Sequence, residues 1–130
     1  MRLLLSVIAT SAVLIGHASV ADAEPVNADR CFSISRFQTW KAIDDHTMYI
    51  RVNRNQYYRL DMAGRCAMLT RPDAHLITYW RGTSSVCSSL DWDLRVSQGV
   101  PGGITEPCIV KTMTPLTAAQ ANAIPKKFRP

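Results

Sequence analysis

Two aspartates in the second half of the chain have the spacing of a carboxylate pair. Apolar and polar residues alternate from Leu90 to Val96, as they do in a half-buried β-strand. Residues two apart on a strand point to one face, so Asp91 and Asp93 could serve as general acid and base or hold a cation. Arg95 continues that face and would neutralise it, so the pattern is more typical of a solvent-exposed strand face.

Two histidines are the other candidates for acid–base chemistry. His46 follows Asp44 and Asp45, which would supply a base and a carboxylate that orients it. Short polar residues in a row are, however, also typical of a hairpin turn. His75 begins a predicted strand on the side opposite its apolar residues, a position more typical of a partly exposed strand residue than of a catalyst.

Tyrosines and arginines form a pattern that is typical of binding. The segments 48–52 and 57–62 each alternate between apolar and polar residues, which predicts two strands. The residues predicted to face inward are Met48, Ile50, Val52, Tyr58, Leu60 and Met62. The outward candidates for a binding patch are Tyr49, Arg51, Tyr57 and Arg59. Small β domains bind ligands through such faces by ring stacking and charge, although Tyr and Arg are also common cross-strand neighbours on ordinary exposed sheets.

The first 23 residues have the features of a secretory signal peptide. Met1-Arg2 precedes an apolar run and then small residues, and cleavage after either Ala21 or Ala23 fits the small-x-small rule. The run is shorter than the roughly 20 residues that a membrane span needs, and no later segment qualifies. We predict a signal peptide over 1–23, a leader over 24–30 and a periplasmic or secreted protein.

Four cysteines follow the predicted signal peptide, and an even number in a small exported domain predicts two disulfides. They are Cys31, Cys66, Cys87 and Cys108. No pair has Cys-x-x-Cys spacing and the histidines lie far from them, so we predict no metal and no cofactor. If successive strands alternate in direction, Cys31 and Cys87 lie at one end of the domain and Cys66 and Cys108 at the other, which favours these two pairs.

Short strands recur about every ten residues with polar turns between them. This spacing predicts a single, mainly β domain over 31–125, a small antiparallel barrel or sandwich of five to six strands. One short C-terminal helix is expected, because Thr117 and Gln120 form a capping box and Pro125 would end it. Residues 126–130 are expected to form a mobile basic tail.

The chain carries a formal net charge of +5 and a sequence pI near 9.3. Such an excess permits contact with anionic surfaces, but the basic residues are scattered, which is more typical of an ordinary soluble domain. The one cluster in the sequence is Lys126-Lys127-Phe128-Arg129.

The order of motifs resembles a family of small exported proteobacterial proteins that is classified only as a domain of unknown function. The motifs that carry the resemblance run from Cys31 to the end of the chain: Cys31, Trp40, the strand pair 48–62, Gly64-Arg65-Cys66, Val86-Cys87-Ser88-Ser89-Leu90-Asp91, Cys108-Ile109-Val110 and Pro115-Leu116-Thr117. The resemblance implies an exported, disulfide-containing β domain and assigns no catalytic residue.

No motif for catalysis accompanies these residues, so the sequence predicts a non-enzymatic module that binds a protein or an envelope ligand. Nucleic acid is not an expected partner, because an exported protein rarely meets it. One alternative is a small hydrolase in which His46 or His75 meets Asp91 or Asp93. The other is a structural module of an envelope assembly.

Overall fold

A computed structural model describes residues 31–80, 82, 84–99 and 103–130. The predicted signal peptide and leader lie outside these residues. The described part is mainly β, with two disulfides and one short α-helix, as the sequence predicts. Among the described residues, no helix is long and apolar enough to cross a membrane.

Nine strands run through the described residues. In chain order they are β1 (Phe32–Ser33), β2 (Phe37–Ala42), β3 (Thr47–Val52), β4 (Gln56–Met62), β5 (Ala74–Trp80), β6 (Ser85–Val86), β7 (Trp92–Gln98), β8 (Thr105–Pro107) and β9 (Val110–Leu116). The strands β1, β6 and β8 have only two or three residues. The six longer strands agree with the five to six that the sequence predicts.

The largest sheet has four antiparallel strands in the order β2-β3-β4-β9. Its centre is the hairpin of β3 and β4, in which Ile50 lies opposite Tyr58 and Met48 opposite Leu60. All six residues predicted to face inward from this hairpin are buried: Met48, Ile50, Val52, Tyr58, Leu60 and Met62. The alternating pattern therefore predicted the buried face of the two central strands correctly.

A β-bulge decides which side chains of β2 face the core. The register of β2 against β3 shifts between Phe37 and Thr39, because Gln38 is an extra residue on β2. Phe37 and Trp40 therefore both pack against the core although they are three residues apart. The bulge breaks the simple period of two, which is why the sequence did not indicate the buried face of this strand.

The second sheet has the antiparallel order β5-β7-β8, and aromatic rings join it to the four-stranded sheet. The Phe32 ring lies 5.1 Å from that of Tyr58 and 5.6 Å from that of Trp92, centroid to centroid. Tyr58 belongs to the four-stranded sheet and Trp92 to the three-stranded one, so Phe32 bridges them. The described sheets remain separate and pack in a sandwich-like arrangement, so of the two predicted architectures the closed barrel is not formed.

The alternating segment after Cys87 begins later than the sequence indicated. Trp92, Leu94 and Val96 face inward on β7 and are buried, as expected. Leu90, however, is 82% exposed, and Ser89–Asp91 forms a turn of 3₁₀ helix before the strand. The prediction that Leu90 and Asp91 belong to the strand is wrong, because the capping interactions of Ser88 and Asp91 compete locally with strand formation.

The disulfides join Cys31 to Cys87 and Cys66 to Cys108, the pairs that the sequence favours. Cys31 and Cys87 flank the short pair β1 and β6, whereas Cys66 and Cys108 are buried within the core. All the described strand pairs are antiparallel, although the strands do not simply follow one another in space, since β9 crosses back to pair with β4.

The C-terminal segment contains the predicted capped helix, and the residues after the helix form a further turn of 3₁₀ helix. The helix α1 (Ala118–Ala123) starts at Thr117, and both hydrogen bonds of the capping box with Gln120 are present. The tail folds back instead of extending: Lys126–Phe128 forms 3₁₀ helix. The Arg129 guanidinium donates to the carbonyl oxygens of Asn122 and Ile124, which satisfies acceptors at the end of α1. The tail therefore lies against the end of α1.

Candidate functional site

The outer face of the four-stranded sheet, the side turned away from the core, gathers the predicted binding residues. Tyr49 on β3 lies directly opposite Arg59 on β4, and Arg51 lies opposite Tyr57. Side chains opposite each other share a face, with Cβ atoms about 4.5–5.5 Å apart. Tyr49, Arg51 and Tyr57 are half-buried and Arg59 is exposed. The register therefore brings all four predicted residues into one continuous patch.

The outer strands of this sheet extend the patch beyond the sequence prediction. On β2, Lys41 lies opposite Tyr49 and Thr39 lies opposite Arg51. On β9, Thr114 lies opposite Arg59 and Leu116 opposite Tyr57. The exposed Lys41 adds a third cation, which sequence reasoning missed because the bulge conceals the orientation of β2.

One carboxylate lies at the end of this face and compensates one of its cations. Arg59 donates from Nε to Oδ1 of Asp61 at 2.9 Å, and its Nη2 lies 2.9 Å from the same oxygen. The hydroxyls of Thr47 and Thr112 donate to Asp61 at 3.2 and 3.1 Å. Asp61 lies two residues after Arg59 on the same face of β4 and holds its guanidinium in place.

Arg51 and Lys41 have no such counterion. Neither forms an ion pair with an acidic side chain within the described part of the chain. The Nε atom of Arg51 is also buried without a hydrogen-bond partner there. The positive charges of Arg51 and Lys41 on the outer face are therefore not compensated by any acidic side chain that the structure describes.

His46 and its neighbouring aspartates build the turn between β2 and β3. Oδ1 of Asp44 accepts the backbone N–H groups of His46 and Thr47 at 2.8 Å each. Asp45 contacts Nδ1 of His46 at 2.7 Å and accepts from Nε of Arg65 at 2.6 Å. The hydrogen bond from Arg65, and secondarily that from His46, holds the pKa of Asp45 below its ordinary value. These contacts agree with the turn interpretation of the segment.

Within the part of the chain that the structure describes, two groups of side chains have atoms close enough to hold a metal ion. Ligand atoms of Asp44, Asp45 and His46 lie within 4.8 Å of one another, as do those of Cys66, Glu106 and Cys108. The carboxylates of the first group already serve the turn and Arg65. The cysteines of the second form a disulfide, so they offer no thiolate.

Asp91 and Asp93 do not form a carboxylate pair on one strand face. Oδ2 of Asp91 accepts the backbone N–H groups of Cys87 and Ser88 at 2.9 and 2.8 Å, which completes a capping box. The pattern Ser88-x-x-Asp91 is a recognisable signal for this cap. Asp93 lies on β7, where its carboxylate is 3.5 Å from Nε of Arg95, so the predicted neutralisation of this face is present.

The cap makes the stability of the protein depend on pH through Asp91. Hydrogen bonds from the backbone of Cys87, then of Ser88, lower the pKa of Asp91 in the folded state. The stabilisation is therefore complete above the unfolded-state pKa of about 3.9 and is lost as the pH falls through the folded value.

We expect Asp91→Asn to lower the melting temperature at pH 6. The difference from the wild type should shrink below about pH 4, where Asp91 of the unfolded chain begins to bind a proton, and should disappear once the pH is below the lowered pKa of the folded state. Thermal unfolding between about pH 2.5 and 6 measures this difference, with Asp73→Asn as the control on an exposed aspartate. A difference that stays constant down to the lowest pH would contradict the assignment of the cap.

The structure does not join the histidines to these aspartates. His75 is exposed on β5 opposite Ser97. Among the described residues, no hydrogen bond or ion pair links His46 or His75 to Asp91 or Asp93. His46 contacts Asp45 in the turn, Asp91 caps the backbone of Cys87 and Ser88, and Asp93 lies near Arg95.

Two surface grooves lie away from the tyrosine–arginine patch. One has a volume of about 230 Å³ and is mainly apolar; Leu90, Trp92, Leu94, Ile109 and Val110 are among the residues that line it. The other, of about 600 Å³, is more polar and includes Arg65, Arg71 and Glu106. Glu106 is already engaged there, since it accepts the backbone N–H of Met68 at 2.8 Å.

Comparison with known families agrees with one part of the resemblance, the expected match to a family of unknown function. The chain belongs to DUF6491, a family of unknown function, whose model matches residues 1–129. No curated protein and no solved structure matches the chain.

Proposed function

We propose that this member of the family is an exported, non-enzymatic domain that binds a protein or an envelope ligand through the outer face of its four-stranded sheet. The observation that carries the proposal is the register of β3 and β4, which alternates Tyr49 and Tyr57 with Arg51 and Arg59 on that face. The two disulfides support export, because such bonds persist in oxidising compartments such as the periplasm and the cell exterior.

The chemistry of the patch suits recognition. Tyrosine rings supply apolar contact area at a low cost in side-chain entropy, and guanidinium groups supply several directed donors. Both residue types are enriched among those that dominate binding energy at interfaces. His46, Asp91 and Asp93 are engaged in a turn, a cap and a strand-face ion pair, and His75 lies exposed on β5, which supports the binding interpretation over the hydrolase.

Replacing Arg51 and Arg59 together by alanine tests the proposal. We expect the double variant to bind the partner recovered by pull-down from an envelope fraction at least tenfold more weakly, about 1.4 kcal/mol. Its melting temperature should change little, because an exposed ion pair such as Arg59 with Asp61 contributes only about 0.2–1 kcal/mol. Titration calorimetry and thermal unfolding give the two quantities.

Arg36→Ala/Arg54→Ala is the matched control, since it removes the same charge from two exposed positions outside the patch. If the Arg51/Arg59 variant binds the partner as strongly as the wild type, the outer face is not the binding site. If both variants lose the same affinity, the loss is due to the change in net charge and not to the patch. Stable co-purification with a large complex, unaffected by either variant, would favour the structural module of an envelope assembly.

A further inference from the structure

We infer that the outer face binds an acidic polysaccharide, with the Tyr49 ring packing on a sugar and Lys41 and Arg51 contacting its carboxylates. The inference rests on the proposed function and names the ligand class of the same face. The sequence prediction did not include Lys41, which is central to this site. Lys41 lies opposite Tyr49 because β2 pairs with β3.

The charges of the face are complementary to an anion. Lys41, Arg51 and Arg59 share this face with the single carboxylate of Asp61, which Arg59 contacts at 2.9 Å. Lys41 and Arg51 have no ion pair with any acidic residue that the structure describes. Hydrogen bonds from an ammonium or guanidinium group to a carboxylate are stronger than those between neutral groups, so these two cations are the contacts expected for an incoming carboxylate.

These cations surround one aromatic ring. Tyr49 lies between Lys41 on one neighbouring strand and Arg59 on the other. Arg51 is two residues further along β3, about 7 Å away. A sugar ring has an apolar face that can pack on tyrosine, while its carboxylate can reach a cation at the edge of the ring. A site with one ring and several cations therefore suits a ligand that combines a ring with a charge.

The same combination recurs across the face, which favours a polymer. Tyr57 lies opposite Arg51, and Arg59 lies two residues beyond Tyr57 on β4. Ring and cation thus alternate along both central strands. A chain of acidic sugars repeats the same two features, ring and carboxylate, and an extended chain can lie along an open sheet face without a deep cleft.

An acidic peptide fits the face less well. Both β3 and β4 are paired on each side, β3 with β2 and β4, and β4 with β3 and β9. Neither offers a free backbone edge for strand addition, the mode by which extended peptides gain main-chain hydrogen bonds. A peptide would bind through side chains alone and would leave the tyrosine rings without a repeating partner.

The test uses the whole mature protein and polygalacturonate as the probe, with dextran as the neutral polysaccharide and poly-glutamate as the acidic polymer without rings. We expect calorimetric binding to polygalacturonate that weakens with added salt, weaker binding to poly-glutamate and none to dextran. Lys41→Ala/Arg51→Ala and Tyr49→Ala should each weaken polygalacturonate binding at least tenfold. Tyr49→Phe, which keeps the ring, and the Arg36→Ala/Arg54→Ala control should retain it.

Absence of polygalacturonate binding would overturn the inference. Equally strong binding of poly-glutamate, unaffected by Tyr49→Ala, would also overturn it and would identify an acidic protein as the ligand. The proposed function is tested separately from the ligand class. If polygalacturonate does not bind but Arg51→Ala/Arg59→Ala still loses the pull-down partner, the proposed function stands and only the ligand class is wrong. If that variant binds both the pull-down partner and polygalacturonate as the wild type does, the proposed function is wrong.

Discussion

Replacing Cys66 and Cys108 together by alanine is expected to lower the free energy of unfolding by about 4 kcal/mol. The disulfide joins residues 42 positions apart, so its loss gives the unfolded chain much additional conformational freedom. Both cysteines are buried in the core cluster, and truncating them also removes packing contacts. Domains of this size are stable by only about 5–15 kcal/mol, so the effect is a large part of the total. Urea denaturation of protein produced with its disulfides formed measures it.

The second disulfide provides the control. Cys31 and Cys87 are both exposed and lie 56 positions apart, so their replacement by alanine removes a similar entropic constraint without opening a void in the core. If packing contributes, the Cys66/Cys108 variant should lose more stability although its loop is shorter. A loss below about 1 kcal/mol in that variant would show that the chain-entropy description fails for this fold.

Leu60→Ala is expected to destabilise the protein by about 2–5 kcal/mol. Leu60 has 0% exposure on β4, between Met48 of β3 and Met113 of β9. Its truncation removes buried methyl groups and leaves a cavity that the paired strands on either side cannot readily close. Chemical denaturation, with the free energy extrapolated to water, gives the change.

Lys111→Ala on β9 is the matched substitution, because Lys111 is exposed and its truncation should change stability by no more than about 0.5 kcal/mol. Similar losses in the Leu60 and Lys111 variants would indicate that the interior of the sandwich is less tightly packed than its burial implies.

The candidate face was predictable in part. The alternating pattern in two adjacent segments predicts the orientation of Tyr49, Arg51, Tyr57 and Arg59. A short turn joins these segments, so they pair with each other as a hairpin. Lys41 could not be placed in the same way, since a bulge shifts the period of β2. Nothing local in the sequence indicates where one strand acquires an extra residue opposite its partner.

The prediction for Asp91 and Asp93 failed for the opposite reason. The sequence contains a local capping signal, but the alternating pattern was given more weight. Ser88-x-x-Asp91 is a capping pattern, but it overlaps the alternation that continues into β7. The backbone N–H groups of Cys87 and Ser88 gain an acceptor when Asp91 caps them. The strand therefore begins at Trp92, two residues later than predicted, and the apparent carboxylate pair is not formed.

The sequence by itself determined the mainly β class, the inward residues of the central hairpin and the capping box of α1. Each depends on residues close together in the chain, where periodicity and hydrogen-bonding capacity act directly. Only the tertiary structure decided that β9 returns to β4 as an edge strand, a position that tolerates Pro115 within it. It also decided that β1 and β6 lie beside the Cys31–Cys87 disulfide and that Lys41 faces Tyr49. These arrangements depend on contacts between distant segments, which form where burial of apolar surface outweighs the entropy of closing the loops between them.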